Sequence, residues 1–138
     1  MSRSLSRVLL LALGLALMAG GCRRGPAFTF APVEGTITKN GQPLPNVEVV
    51  FIGDPNAGTR GPRASALTDE NGRYRLRGDR GETGAVPGKH RVCIVDLLAN
   101  PETPMEKRRM PPSYGRINET PLRAEIRPGP QTLDFDLP

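Results

Sequence analysis

The chain has 138 residues, a formal charge of +5, one histidine, two cysteines and no tryptophan. A single histidine excludes a multi-histidine metal site, two cysteines make no disulfide framework, and scattered basic residues with only six Phe and Tyr exclude a stacking surface for nucleic acid. Fifteen prolines and sixteen glycines far exceed ordinary usage and exclude long helices beyond the N-terminal segment.

Arg3 and Arg7 precede the apolar run Val8–Met18, and small residues Ala19, Gly20 and Gly21 follow it. This is the layout of a helical signal peptide over residues 1–21. A bilayer span needs roughly 20 apolar residues, so the run is too short to serve as a permanent one. The stretch Leu17-Met18-Ala19-Gly20-Gly21-Cys22 resembles a bacterial lipobox, with Ala19 where the pattern most often has Leu. The resemblance implies cleavage before Cys22, which becomes the new N-terminus and carries a thioether-linked diacyl lipid, a palmitate-type anchor of two or three chains. A plain secretory signal cut near Gly21, with Cys22 unmodified, is the alternative. Arg23 and Arg24 follow Cys22 instead of the acidic residue that favours inner-membrane retention in similar lipoproteins, so the outer membrane of a bacterial envelope is expected. Residues 22–31 read as a short tether that keeps the rest near the membrane, where anionic headgroups attract basic residues.

Removal of residues 1–21 leaves 117 residues with 17 basic and 14 acidic side chains, a charge of +3 and the size of one domain. This domain, residues 32–138, alternates apolar and polar residues with period two. Val33 and Ile37 share a face, and Asn40-Gly41 is a tight-turn signal. Leu44, framed by Pro43 and Pro45, is expected to plug inward. Val47, Val49 and Phe51 form a half-buried strand. Residues 53–63 read as an exposed loop, and Ala64 to Thr68 as a short strand. Asp69-Glu70-Asn71-Gly72 is read as a hairpin turn returning into a strand with Tyr74 and Leu76 inward and Arg73, Arg75 and Arg77 outward.

After a polar loop at 78–88, the strand from Lys89 to Val95 puts His90, Val92 and Ile94 on one side. Arg91, Cys93 and Val95 take the other side, so Cys93 is expected to face away from the main core. Residues 99–121 hold five prolines and read as a long irregular excursion, of the kind that is functional or mobile. Within it Lys107-Arg108-Arg109 reads as a solvated basic run. Leu122, Ala124 and Ile126, then Leu133, Phe135 and Leu137, alternate in two last strands around a Pro128-Gly129-Pro130 turn. Seven short strands without helical periodicity predict a single all-β sandwich.

The ordered segments Val33-Glu34-Gly35-Thr36-Ile37, Gly41-Gln42-Pro43-Leu44-Pro45-Asn46-Val47, Thr68 through Tyr74 and Pro87-Gly88-Lys89-His90-Arg91-Val92 resemble the carboxypeptidase regulatory-like domain. The tail from Pro111-Pro112-Ser113-Tyr114 to Asp134-Phe135-Asp136-Leu137 is similar to that of small bacterial lipoproteins carrying it. The resemblance implies a seven-stranded, prealbumin-like (transthyretin-like) Greek-key β-sandwich and an accessory or adhesive module without catalysis of its own. His90 stands where such domains often carry an inward aromatic.

A hydrolytic triad would have to assemble His90 with Ser65 or Ser113 and an acid such as Asp96, and no nucleophile elbow is present. The histidines and the C-terminal Tyr-Arg-Gly-Ser of hydroxyisourate hydrolases of the same fold are missing. Asp69-Glu70-Asn71-Gly72 lacks the distal glutamate of a calcium loop and suits a turn. The glycines of Thr59-Arg60-Gly61-Pro62 and Gly78-Asp79-Arg80-Gly81 have no strand-to-helix context for a phosphate cradle, and Asn118-Glu119-Thr120 is a sequon without consequence in such a lipoprotein. No catalytic, metal or cofactor residue is assigned and no enzyme is expected. The candidate residues are Cys22 for lipidation and Tyr114 for a ligand or partner contact, with a loop-pinning role as the alternative for Tyr114. The expected function is a membrane-anchored structural or protein-interaction module of the envelope. A carbohydrate- or peptide-binding module using the 53–63 and 99–121 loops is the second reading, so the partner is an envelope protein or glycan.

Overall fold

Asn40 and Gly41 adopt φ of 50° and 78°, the two left-handed conformations that a two-residue type I′ hairpin demands. They join β1 (Val33–Lys39) to β2 (Gln42–Pro43), with Thr38 opposite Pro43 and Lys39 opposite Gln42. The computed structural model describes Gly21 and residues 27–138. The expected signal peptide, except for Gly21, and the acylated Cys22 lie outside the described residues. Eight further strands follow: β3 (Val47–Gly53), β4 (Ala64–Leu67), β5 (Arg73–Arg75), β6 (Arg77–Gly78), β7 (Gly88–Asp96), β8 (Arg123–Ile126), β9 (Gln131–Thr132) and β10 (Phe135–Leu137). Among the described residues there is no α-helix, only 3-10 turns at Pro55–Ala57, Met105–Lys107 and Pro112–Gly115.

Two five-stranded sheets result. In the first, β1 is the hub: it pairs antiparallel with β2 and β5 and parallel with β9 and β10. The second runs β6-β4-β3-β7-β8, antiparallel throughout. The mostly-β, two-sheet architecture agrees with the alternation in the sequence, but ten strand segments stand where seven strands were expected: the Asn40-Gly41 turn returns into the two-residue β2, and two of the expected runs are split.

The run 73–78 changes sheets at Leu76. Arg73–Arg75 pair with β1, Leu76 donates its N–H to the Val33 carbonyl at 2.9 Å, and Arg77–Gly78 pair with β4. The last run is split because side chains enter its ladder. Thr36 N–H donates to Asp134 Oδ1 at 2.8 Å, and the Tyr74 hydroxyl donates to the Leu133 carbonyl at 2.5 Å. Any Cβ at Gly35 would collide with that same carbonyl.

The turn at 69–72 also differs from expectation. It forms, with Asp69 Oδ1 accepting the N–H groups of Asn71 and Arg73 at 2.9 Å each, yet the strands it joins lie in different sheets. It is therefore an arch and not a hairpin. Thr68 docks it: its hydroxyl donates to the Leu44 carbonyl at 2.9 Å and accepts from Val47 N–H at 3.1 Å.

Between the sheets lie Ile37, Val47, Val49, Phe51, Tyr74, Leu76, Val92, Ile94, Ile126 and Leu137, all buried. Leu44 plugs one end as expected. The Phe51 ring lies 6.0 Å from His90, 6.2 Å from Phe135 and 6.4 Å from Tyr74, centroid to centroid. A buried Phe of this kind stabilises by about 2–3 kcal/mol through area alone. The packed unit takes in Ala31, which exchanges both backbone hydrogen bonds with Ala85.

Candidate functional site

The two ends of the sandwich differ in what they present. Gly53 pairs opposite His90 and Gly88 opposite Ile126, so the 54–63 and 78–87 loops and the 127–130 turn share one end. The N-terminal segment joins them: the Phe28 ring and the Val86 side chain lie over Gly61, and Phe28 is exposed. At the opposite end β7 closes at Asp96, and the Asn40-Gly41 turn, the 69–72 arch and the start of the 99–121 excursion gather there. The two loops expected to form one binding surface thus begin at opposite ends. They approach each other through Arg91, whose guanidinium donates to Asp54 Oδ1 and to Asn118 Oδ1, each at 3.4 Å.

The 99–121 excursion is pinned down. Met110 and Thr120 are buried, and the Thr120 hydroxyl donates to the Val92 carbonyl at 2.6 Å. The basic run is not a solvated one beyond Lys107. Arg108 donates to the carbonyls of Thr103 and Pro101 at 3.0 and 2.9 Å. Arg109 pairs with the Asp96 carboxylate and donates to the Pro45 carbonyl at 2.7 Å, while Lys39 Nζ caps the Arg109 carbonyl. The Arg109 hydrogen bond holds the Asp96 carboxyl below its usual range. Proline spacing carries no sign of these contacts, because they depend on which carbonyls the excursion meets on its return. Tyr114, in the Pro112–Gly115 turn, is half-buried and packs against the core.

His90 points inward against Phe51 and is fully buried. Its Nε2–H donates to the Val86 carbonyl at 2.7 Å, so Nε2 carries the proton. Burial pushes its pKa below the ordinary 6.5, partly offset by that hydrogen bond. The triad partners are not assembled around it. Asp96 lies six residues along β7, about 20 Å away, and is engaged by Arg109. Ser65 sits opposite Val50 on the face of β4 that turns away from the core, and Ser113 lies in the Pro112–Gly115 turn. Cys93 is on the outer face of β7, as expected, yet buried there between neighbouring side chains; burial raises its thiol pKa.

One surface escaped the sequence reading. On the outer face of the first sheet, Glu34 and Arg75 form an ion pair at 3.0 Å. Hollows of about 420 and 600 Å³ flank it, both lined by Glu34, Arg75 and Thr132. Beside them the Thr36 hydroxyl donates to Asp134 at 2.7 Å, and the Thr38 hydroxyl to Asp136 at 2.7 Å. The Thr38 hydroxyl and the Gly41 N–H hold Asp136 below the usual carboxylate range. The outward polar positions of β1 were legible, but not that β5 would lie beside them.

No family model matches the chain, and no curated protein matches it. Among solved structures it is similar to catechol 1,2-dioxygenase from Acinetobacter sp. ADP1, inhibited by bound mercury, at 18% identity and a TM-score of 0.38. The match covers 83% of this chain and 54% of that one, so the chain spans about half the length of that enzyme. The expectation of a chain without catalysis is withdrawn on this finding: the matched chain is a dioxygenase, and so distant a likeness assigns neither its activity nor a lack of one.

Proposed function

We propose that this protein is an acyl-anchored β-sandwich lipoprotein of the bacterial cell envelope, held in the outer membrane through Cys22 and acting as a structural or protein-interaction module. Its domain is read as a prealbumin-like Greek-key sandwich of the carboxypeptidase regulatory-like type. The observation that carries this reading is the pairing of Leu17–Cys22, behind a short apolar run, with a packed β unit that starts within ten residues of that cysteine. Two or three acyl chains hold a protein on a bilayer durably, since each buried methylene contributes about 0.8 kcal/mol. Among the described residues no helix is long and apolar enough to cross a membrane.

Mass spectrometry of the mature N-terminus tests the anchor. The expected species begins at acylated Cys22, and Cys22→Ser should move the protein from the membrane to the soluble fraction. A mature chain that carries an unmodified Cys22 thiol would overturn it. Cross-linking in intact envelopes, followed by recovery of a recurrent protein partner, tests the interaction role.

The groove beside Glu34 and Arg75 favours a second reading, a glycan- or peptide-binding module. Arrayed glycans or peptides retained by the wild type and lost on Arg75→Ala would promote it, and loss on Tyr114→Ala instead would put the contact in the 99–121 excursion.

A further inference from the structure

We infer that the end of the sandwich bearing Phe28, Arg60 and Arg80 is a docking face for the anionic phospholipid surface in which the chain is anchored. This rests on the lipoprotein reading above. Cys22 precedes Ala27 by five residues, so the chain between them reaches at most about 18 Å. Strand β7 alone is nine residues long, roughly 30 Å. This tether therefore cannot turn the far end, at Leu97 and Leu98, down onto the membrane with the Phe28 end pointing away, whereas it holds the Phe28 end within reach of the surface in every orientation.

Charge separates the ends in the same direction. Residues 54–63, 77–89 and 127–130 carry six basic and three acidic side chains, whereas residues 39–46, 67–73 and 96–109 balance five against five. Two of the three acids at the Phe28 end are already paired, Asp54 with Arg91 and Asp79 with Arg63. Among the described residues Arg60, Arg80, Lys89 and Arg127 are exposed and make no ion pair. Guanidinium groups suit phosphate oxygens through bidentate hydrogen bonds. Phe28, 42% exposed beside Val86, supplies an apolar ring of the kind that buries into the headgroup–acyl boundary. Arg23 and Arg24, next to the anchor in sequence, add to the same charge.

The chain has no tryptophan, so Phe28→Trp and Leu98→Trp each create a single reporter. Each full-length lipoprotein is reconstituted into vesicles containing brominated phosphatidylglycerol, and the indole quenching is compared. Phe28→Trp should be quenched strongly and Leu98→Trp little. Adding Arg60→Glu and Arg80→Glu, at exposed loop positions, should relieve the quenching while leaving the melting temperature unchanged. A Cys22→Ser form of the Phe28→Trp chain should bind phosphatidylglycerol vesicles more than phosphatidylcholine ones, and lose about fivefold in partitioning per arginine removed. Raised salt should weaken that binding.

Equal quenching at the two positions, or quenching indifferent to charge reversal, overturns the docking face even if Cys22 is acylated. Absence of acylation with salt-sensitive binding by the Cys22→Ser chain sinks the anchor and supports the face.

Discussion

Phe51 shows how far a single residue can be argued. Its place in a period-two run predicts an inward ring, and in the structure the ring is fully buried among Tyr74, His90 and Phe135. Phe51→Ala should cost about 3–5 kcal/mol, from lost transfer energy plus the cavity left behind; denaturant unfolding measures it, and a loss under about 1 kcal/mol contradicts the packing. His90 makes a pH prediction. Its folded pKa is depressed below 6.5 by burial, so the unfolded chain takes up the proton first as pH falls. The stability it contributes is complete above pH 6.5 and declines as pH drops below that value toward the folded pKa. Thermal melts between pH 8 and 5 should show the decline, and His90→Phe, which removes the titrating group, should flatten it. Asp96 acts in a separate, more acidic window: its lowered pKa contributes stability that is lost only as pH falls below 3.8.

At the scale of elements, turns and anchors decide the outcome. Gly72 has φ of 70°, and a side chain there would meet the Ile37 carbonyl and the backbone of Pro43 and Leu44. Gly72→Val is therefore doubly strained and should lower the melting temperature by several degrees; an unchanged value contradicts the arch as described. Arg109→Ala should free the stretch around 99–110, because it strips Asp96 of its cation and the Pro45 carbonyl of its donor, and leaves the Asn46 carbonyl with the Leu97 N–H alone. The expected cost is about 2–3 kcal/mol, with faster tryptic cleavage after Lys107 as the local readout. Turn residues such as Asn40-Gly41 were legible because positive φ selects residue type. The pinning of the excursion was not, since Arg109 is one arginine in a run of three basic residues and nothing local distinguishes it. The strand break at Leu133-Asp134 was hidden for a related reason: an aspartate in a strand reads as an outward polar group until a partner N–H, here that of Thr36, comes within reach.

For the whole molecule, one core joins both sheets, and the run 73–78 contributes a strand to each. The described domain should therefore unfold in a single cooperative transition, with fluorescence and circular dichroism coinciding; separate melting of the two sheets contradicts a shared core. By itself the sequence determined the β class, the inward set from Val33 to Leu137 and the turns at Asn40-Gly41 and Asp69-Gly72, because alternation and positive-φ residue types act over a few neighbours. It also carried the expectation of an acyl anchor at Cys22. Only the tertiary structure decided that 73–78 crosses between sheets, that Arg109 pins the excursion, that the two candidate loops start at opposite ends and that Glu34 and Arg75 share a groove. Those outcomes rest on contacts between residues far apart in the chain, and such contacts leave no local periodicity to read.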